Sequence, residues 1–166
     1  RVYEQSSTRA PSRSLRSPSA RLVGVSDAAI DIETVRWEAA DGVMLAADIA
    51  GDPTAQTVLL FHGGGQTRHS WGGTLCALVG RGYHVASVDL RGHGDSDWSP
   101  GGNYDGSVFP NDVELVARRF DQPVLVGASL GGTSALMAVH QGRERDGQDV
   151  AGALVLVDVA PNIEPA

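Results

Sequence analysis

Gly127-Ala128-Ser129-Leu130-Gly131-Gly132 decides the fold. The apolar run Pro123-Val124-Leu125-Val126 precedes it, and a helix-like stretch from Leu130 to His140 follows. An apolar run of this length bounded by glycine reads as a buried strand, so Ser129 falls on a sharp strand-to-helix turn. Such a turn strains the serine backbone and lifts its hydroxyl above the sheet. Side chains two residues either side would collide with the neighbouring strand or helix, which explains the glycines. The letters G-x-S-x-G also occur in ordinary Gly/Ser-rich turns; the order strand, turn, helix makes Ser129 a candidate nucleophile.

A second motif lies about 65 residues upstream. Thr57-Val58-Leu59-Leu60-Phe61 reads as a fully buried strand and runs directly into His62-Gly63-Gly64-Gly65-Gln66. In acyl transfer, two preorganised backbone N–H groups can stabilise the negative oxygen of a tetrahedral intermediate, and a glycine loop lets the backbone come close. Gly64 and Leu130 are the candidate donors, with Gly63 beside them. Trp71, a few residues on, either walls the pocket or packs under the loop.

The third motif is Val88-Asp89-Leu90-Arg91-Gly92-His93-Gly94-Asp95-Ser96, after a strand beginning at His84. With all three motifs in this order and spacing, residues 33 to 160 resemble the α/β-hydrolase superfamily, in its serine-nucleophile, esterase-like branch. The resemblance implies an ester or related acyl substrate and an acyl-enzyme on Ser129, with cofactor-free haloperoxidases and perhydrolases close by. No cofactor and no metal are expected. It also implies about eight strands and well over 200 residues, whereas this chain has 166.

The strands read as Glu33–Ala39, Val43–Ile49, Thr57–Phe61, His84–Asp89, Pro123–Ala128 and Ala153–Val159, six of the eight. Ser70 to Gly80 carries Trp71, Leu75 and Leu78 at helical spacing; Phe109, Val113, Val116 and Phe120 mark a second helix, with Glu114 and Arg118 placed for a solvent-side pair. Continuous apolar strands alternating with helices predict a doubly wound, mostly parallel α/β sheet. Residues 31–166 are read as a partial hydrolase core without cap and C-terminal strands. Residues 1–30, rich in arginine and serine, are read as disordered.

The net charge of −7 splits into about +3 on residues 1–30 and about −10 on the rest, which argues against nucleic acid. No apolar stretch reaches the ~20 residues of a membrane span. All thirteen basic residues are arginine, leaving no lysine for Schiff-base chemistry or a phosphate loop. Cys76 is the single cysteine and is expected to be a small buried thiol, consistent with a cytoplasmic protein. Oligomeric state is not legible.

A serine needs an imidazole to take its proton and an acid to orient that imidazole. His140, the only histidine after Ser129, lies eleven residues along the helix, about 16 Å away. His62 and His93 are expected to shape their loops, His84 to be structural, and His69 to be solvated. For the acid, Asp158 ends the sixth strand, where parallel strands face the ligand crevice, and some relatives place their acid there; otherwise it caps the following Pro161-Asn162 turn. Asp89, Arg91 and Asp95 are read as loop pairing. Trp98 and Tyr104 either border the substrate entrance or are partly packed. Two readings of function stand: a serine hydrolase, and a truncated, non-catalytic or binding-only remnant of one.

Overall fold

Every residue of Thr57–Phe61 is buried, and this run forms a central strand of the sheet. The computed structural model describes residues 30–159. Within them the elements run β1 (Ile32–Glu38), β2 (Met44–Ala50), β3 (Thr57–Phe61), a 3-10 turn (Arg68–Trp71), α1 (Gly72–Val79), β4 (His84–Val88), α2 (Val108–Ala117), β5 (Val124–Ala128), α3 (Leu130–Asp146) and β6 (Ala153–Val157). The sheet order is β1-β2-β4-β3-β5-β6. β1 and β2 pair antiparallel, as do β2 and β4, while β4, β3, β5 and β6 run parallel.

The central strands are apolar on both faces because both faces are covered. Leu59, Phe61, Ala86, Val88 and Leu125 pack against Val113 and Val116 of α2 and Ala135 and Ala138 of α3. Val58, Leu60 and Val85 point the other way, against Leu75, with Trp71, Leu78 and Val79 around them. The chain therefore leaves β3 toward one face and β5 toward the other. Since β3 and β5 are neighbours, their carboxyl ends form the switch point at which open α/β sheets bind ligands. The expected doubly wound, mostly parallel sheet is present, and all six expected strands form with ends shifted by at most two residues.

Four details differ from expectation. The helix foreseen from Ser70 opens as a 3-10 turn, and α1 starts at Gly72; the Gly72-Gly73 pair is a poor helix former. α3 continues past His140 to Asp146, closed by Gly147 at φ 69°. Glu114 is not a solvent-side partner: it is buried and accepts from Arg118 Nε at 2.6 Å and from the Arg145 guanidinium, tying α2 to α3. Cys76 is exposed, contrary to the buried thiol expected. It sits one residue after Leu75, about 100° around the helix from the residue that faces the core.

The segment read as disordered lies outside the described residues except for Ile30, which packs on the α1-side core. The Pro161-Asn162 turn lies outside them too.

Candidate active site

Three glycines around the junction of β5 and α3 have no room for a side chain. A Cβ on Gly127 would lie 2.5 Å from Gly132 N, one on Gly131 2.5 Å from Phe61 O, and one on Gly132 2.6 Å from Gly127 O. These approaches press the start of α3 onto the ends of β3 and β5. Ser129, between them, is forced to φ 44° and ψ −110°, a region that costs a non-glycine residue on the order of 1–3 kcal/mol. Its carbonyl accepts from Thr133 N–H at 2.8 Å, beginning the helix, and its N–H donates to Val157 O at 3.1 Å. The side chain is exposed, and its hydroxyl has no hydrogen-bond partner among the described residues.

The glycine loop after β3 lies directly against this turn. Gly131 N–H donates to His62 O at 3.1 Å, and a Cβ on Gly63 would sit 3.5 Å from Ser129 Cβ. A Cβ on Gly64 would be 4.0 Å from Leu130 Cβ. The structure thus brings together Ser129, Leu130, Gly63 and Gly64. Their N–H groups differ in availability: Gly63 donates to Gln66 Oε1 at 3.0 Å, whereas Gly64 N–H and Leu130 N–H have no acceptor among the described residues.

Asp158 follows Val157, the ladder partner of Ala128, so it stands at the strand end beside Ser129. It is exposed at φ 53° and enters no ion pair among the described residues. Trp71 lies on the α1-side core, with Nε1 buried and unpaired among the described residues. Tyr104 covers Gly92 and accepts from Ser99 N–H at 2.9 Å, while Trp98 stays 73% exposed against its edge.

No histidine is placed to serve Ser129. Fully buried His62 accepts from Leu90 N–H at Nε2 (3.0 Å), so its Nδ1–H donates to Gly63 O (2.8 Å). Burial, together with the neighbouring His93, pushes its pKa below the ordinary imidazole value and outweighs the Gly63 carbonyl and Asp89. His93 is occupied in the same way, accepting from Gly65 N–H at 3.2 Å and donating to Arg91 O at 3.0 Å. His84 pairs with Thr57 Oγ1 at the opposite end of β4. His69 is exposed, 3.8 Å from Asp48.

Sequence reading passed over Arg68. It is buried, yet lies among Asp48 at 2.9 Å, Asp95 at 2.8 Å and a directly hydrogen-bonded Asp89, which is itself completely buried. Burial opposes its charge, but the three carboxylates hold the guanidinium pKa above its ordinary value. Its N–H also binds Asp89 Oδ1 at 2.6 Å, fastening the chain beyond the glycine loop to the end of β4. Asp89 and Asp95 share the motif after β4, but Asp48 and Arg68 itself come from elsewhere, so no local pattern announces the cluster. Arg91 is fixed similarly by Asp112 and Asp41, in line with the loop-pairing reading.

The motifs and the sheet have a counterpart in sequence comparison. A model of the Alpha/beta hydrolase family matches residues 58–166. The chain belongs to this family. Among its relatives, Esterase Rv0045c of Mycobacterium tuberculosis is 37% identical over 111 residues, covering 66% of this chain and 35% of the relative. The crystal structure of that esterase superposes with a TM-score of 0.61 at 34% identity, over 80% of this chain and 41% of the other. Epoxide Hydrolase A from Mycobacterium thermoresistibile gives a TM-score of 0.69 at 25% identity, over 80% and 40%. The chain spans about a third of the length of the curated relatives it matches. No described helix is long and apolar enough to cross a membrane, and no group of three or more His, Cys, Asp or Glu side chains among the described residues is arranged to hold a metal ion.

Proposed function

We propose that the protein hydrolyses a small ester or related acyl compound through an acyl-enzyme on Ser129. One juxtaposition carries this reading: a strained, exposed serine beside two unpaired N–H groups, Gly64 and Leu130. In the proposed reaction Ser129 Oγ attacks the acyl carbon, and the carbonyl oxygen, now negative, settles between those donors. Each oxyanion donor of this kind contributes about 2.7–4 kcal/mol to the transition state. Collapse expels the alcohol, and water then releases the acid and regenerates the serine.

The reading needs an imidazole to take the serine proton, and none of the five histidines of these 166 residues is placed to supply it. Asp158, at the neighbouring strand end, is the candidate acid to orient it. A serine also favours acyl substrates over epoxides. Opening an epoxide with a hydroxyl leaves an ether that water does not cleave, whereas an acyl ester turns over. The acidic charge fits neither nucleic acid nor an anionic membrane surface. A free thiol as the single cysteine supports a cytoplasmic setting.

The absence of a histidine in reach of Ser129 favours a second reading, in which this chain by itself is a non-catalytic remnant. The two separate in one experiment, run on the full-length protein and on the 166-residue chain. Fluorophosphonate labels Ser129, and a panel of acyl-chain esters is hydrolysed, in the full-length protein only. Full-length protein with neither property leaves the remnant reading standing.

A further inference from the structure

Gly63-Gly64-Gly65 is the freest backbone in the site, and Gly65 already stands at φ 73°. An oxyanion donor is useful only when fixed before the reaction, so something must hold this tripeptide still. Two peptide planes meet at Gly64. In the first, Gly63 O is held by His62 Nδ1–H at 2.8 Å and by Gln66 N–H at 3.1 Å. Because the peptide is planar and trans, fixing that carbonyl fixes the direction of Gly64 N–H on its other side. In the second, Gly65 N–H is held by His93 Nε2. We infer that His93 is a positioning residue for the oxyanion loop, its neutral ring holding the Gly64–Gly65 peptide so that Gly64, whose N–H direction the first plane sets, is pinned from both sides.

The inference rests on the hydrolase reading above. His93 reaches across from the loop after β4, and its own ring is set by Nδ1–H donating to Arg91 O. Arg91 is in turn locked by Asp112 and Asp41. The titratable groups facing the ring are His62, 5.0 Å away between centroids, and behind it Asp89, 4.0 Å from His62 Nε2 and bound by Arg68 and Asp95 N–H. A protonated His93 has no lone pair for Gly65 N–H, so the latch needs the neutral ring.

Two substitutions separate this role from loop packing. Glutamine places an acceptor near the position of Nε2 and can still receive Gly65 N–H. Asparagine mimics Nδ1 and keeps only the bond to Arg91. In the full-length enzyme, His93→Asn lowers kcat for an ester by roughly 10- to 10²-fold with KM within about twofold, as expected for a misplaced donor. His93→Gln restores kcat to within about threefold of wild type. Equal activities of the two variants, or a loss confined to KM, overturn the positioning role. Should His93→Asn fail to fold, hydrogen exchange of the wild-type Gly65 amide decides: protection shows the bond to His93, and exchange as fast as a free amide overturns it. A wild type that neither hydrolyses esters nor is labelled at Ser129 removes the hydrolase reading and this role together. Normal wild-type turnover with two indistinguishable variants removes this role alone.

Discussion

Ser129 N–H donates to the carbonyl of Val157 at 3.1 Å, so the turn carrying the proposed nucleophile hangs on the neighbouring strand, one residue before Asp158. That bond and the crowded glycines hold Ser129 at φ 44° against its own preference. Ser129→Ala keeps the strain and abolishes fluorophosphonate labelling with little change in stability. Ser129→Gly relieves the strain and, net of the added chain entropy, raises unfolding free energy by about 1 kcal/mol over the alanine variant. A glycine variant less stable than the alanine variant in urea titration contradicts the strain account.

The glycines around this turn differ in tolerance. A Cβ at Gly131 would press on Phe61 O and His62 O, at 2.5 and 2.6 Å, both of them backbone atoms that cannot step aside. Gly131→Ala therefore costs about 3 kcal/mol, at the upper end for overpacking. At Gly64 φ is not positive and the nearest atom to a Cβ is 4.0 Å away on Leu130. Gly64→Ala folds as wild type, and a bulkier β-branched residue there lowers kcat by about 10²-fold by displacing the donor. Thermal unfolding of both alanine variants, with kcat of the Gly64 series, checks the contrast.

What was legible in the sequence is what local physics dictates. Apolar runs such as Thr57–Phe61 and Val124–Val126 declare buried parallel strands, and glycines around Ser129 declare a turn whose crowding is set within a few residues. What escaped depends on tertiary neighbours. Glu114 looks solvent-facing on its helix, but α3 covers that side and brings Arg145 to it. Arg68 gains meaning only when Asp48 of β2 meets Asp89 and Asp95 of the loop after β4 around it. Cys76 was judged by its chemistry, whereas its place one step off the Leu75 stripe decides its exposure.

Removing Arg68 leaves Asp89 buried with no side-chain counter-charge, only the backbone N–H groups of Arg68 and Asp95. Breaking one side of a buried ion pair costs about 3–5 kcal/mol, a large share of a domain's stability. Arg68→Ala is expected to lose that much in urea titration. Arg68→Lys recovers only part, because one ammonium cannot serve three carboxylates in a fixed fork. A loss under 1 kcal/mol in the alanine variant shows that the network is dispensable.

Burial lowers the pKa of both His62 and His84 in the folded protein, partly offset at His84 by Asp52. The unfolded chain, with imidazoles near the ordinary ~6.5, therefore binds protons that the folded chain refuses. Stability is complete above about pH 6.5 and falls as pH drops below it, at up to ~1.4 kcal/mol per pH unit for each histidine. Asp112, pushed up by burial despite Arg91, opposes this trend in acid. Calorimetry should show Tm falling between pH 7 and 5, with a shallower slope in His84→Gln. A flat profile contradicts the burial of these rings as neutral groups.

β6 is the edge of the described sheet, and Val155, Leu156 and Val157 are 46%, 41% and 40% exposed. Its inner side pairs with β5, leaving the outer N–H and C=O groups without a ladder among the described residues. Apolar side chains on both faces with an open hydrogen-bonding edge make a template for another copy of the same strand. The 166-residue chain expressed alone is therefore expected to self-associate through β6. A lysine at an edge position repels such pairing, so Val155→Lys shifts the chain toward monomer in size-exclusion chromatography with light scattering. A wild-type chain that elutes as a compact monomer at high micromolar concentration rules out the edge argument.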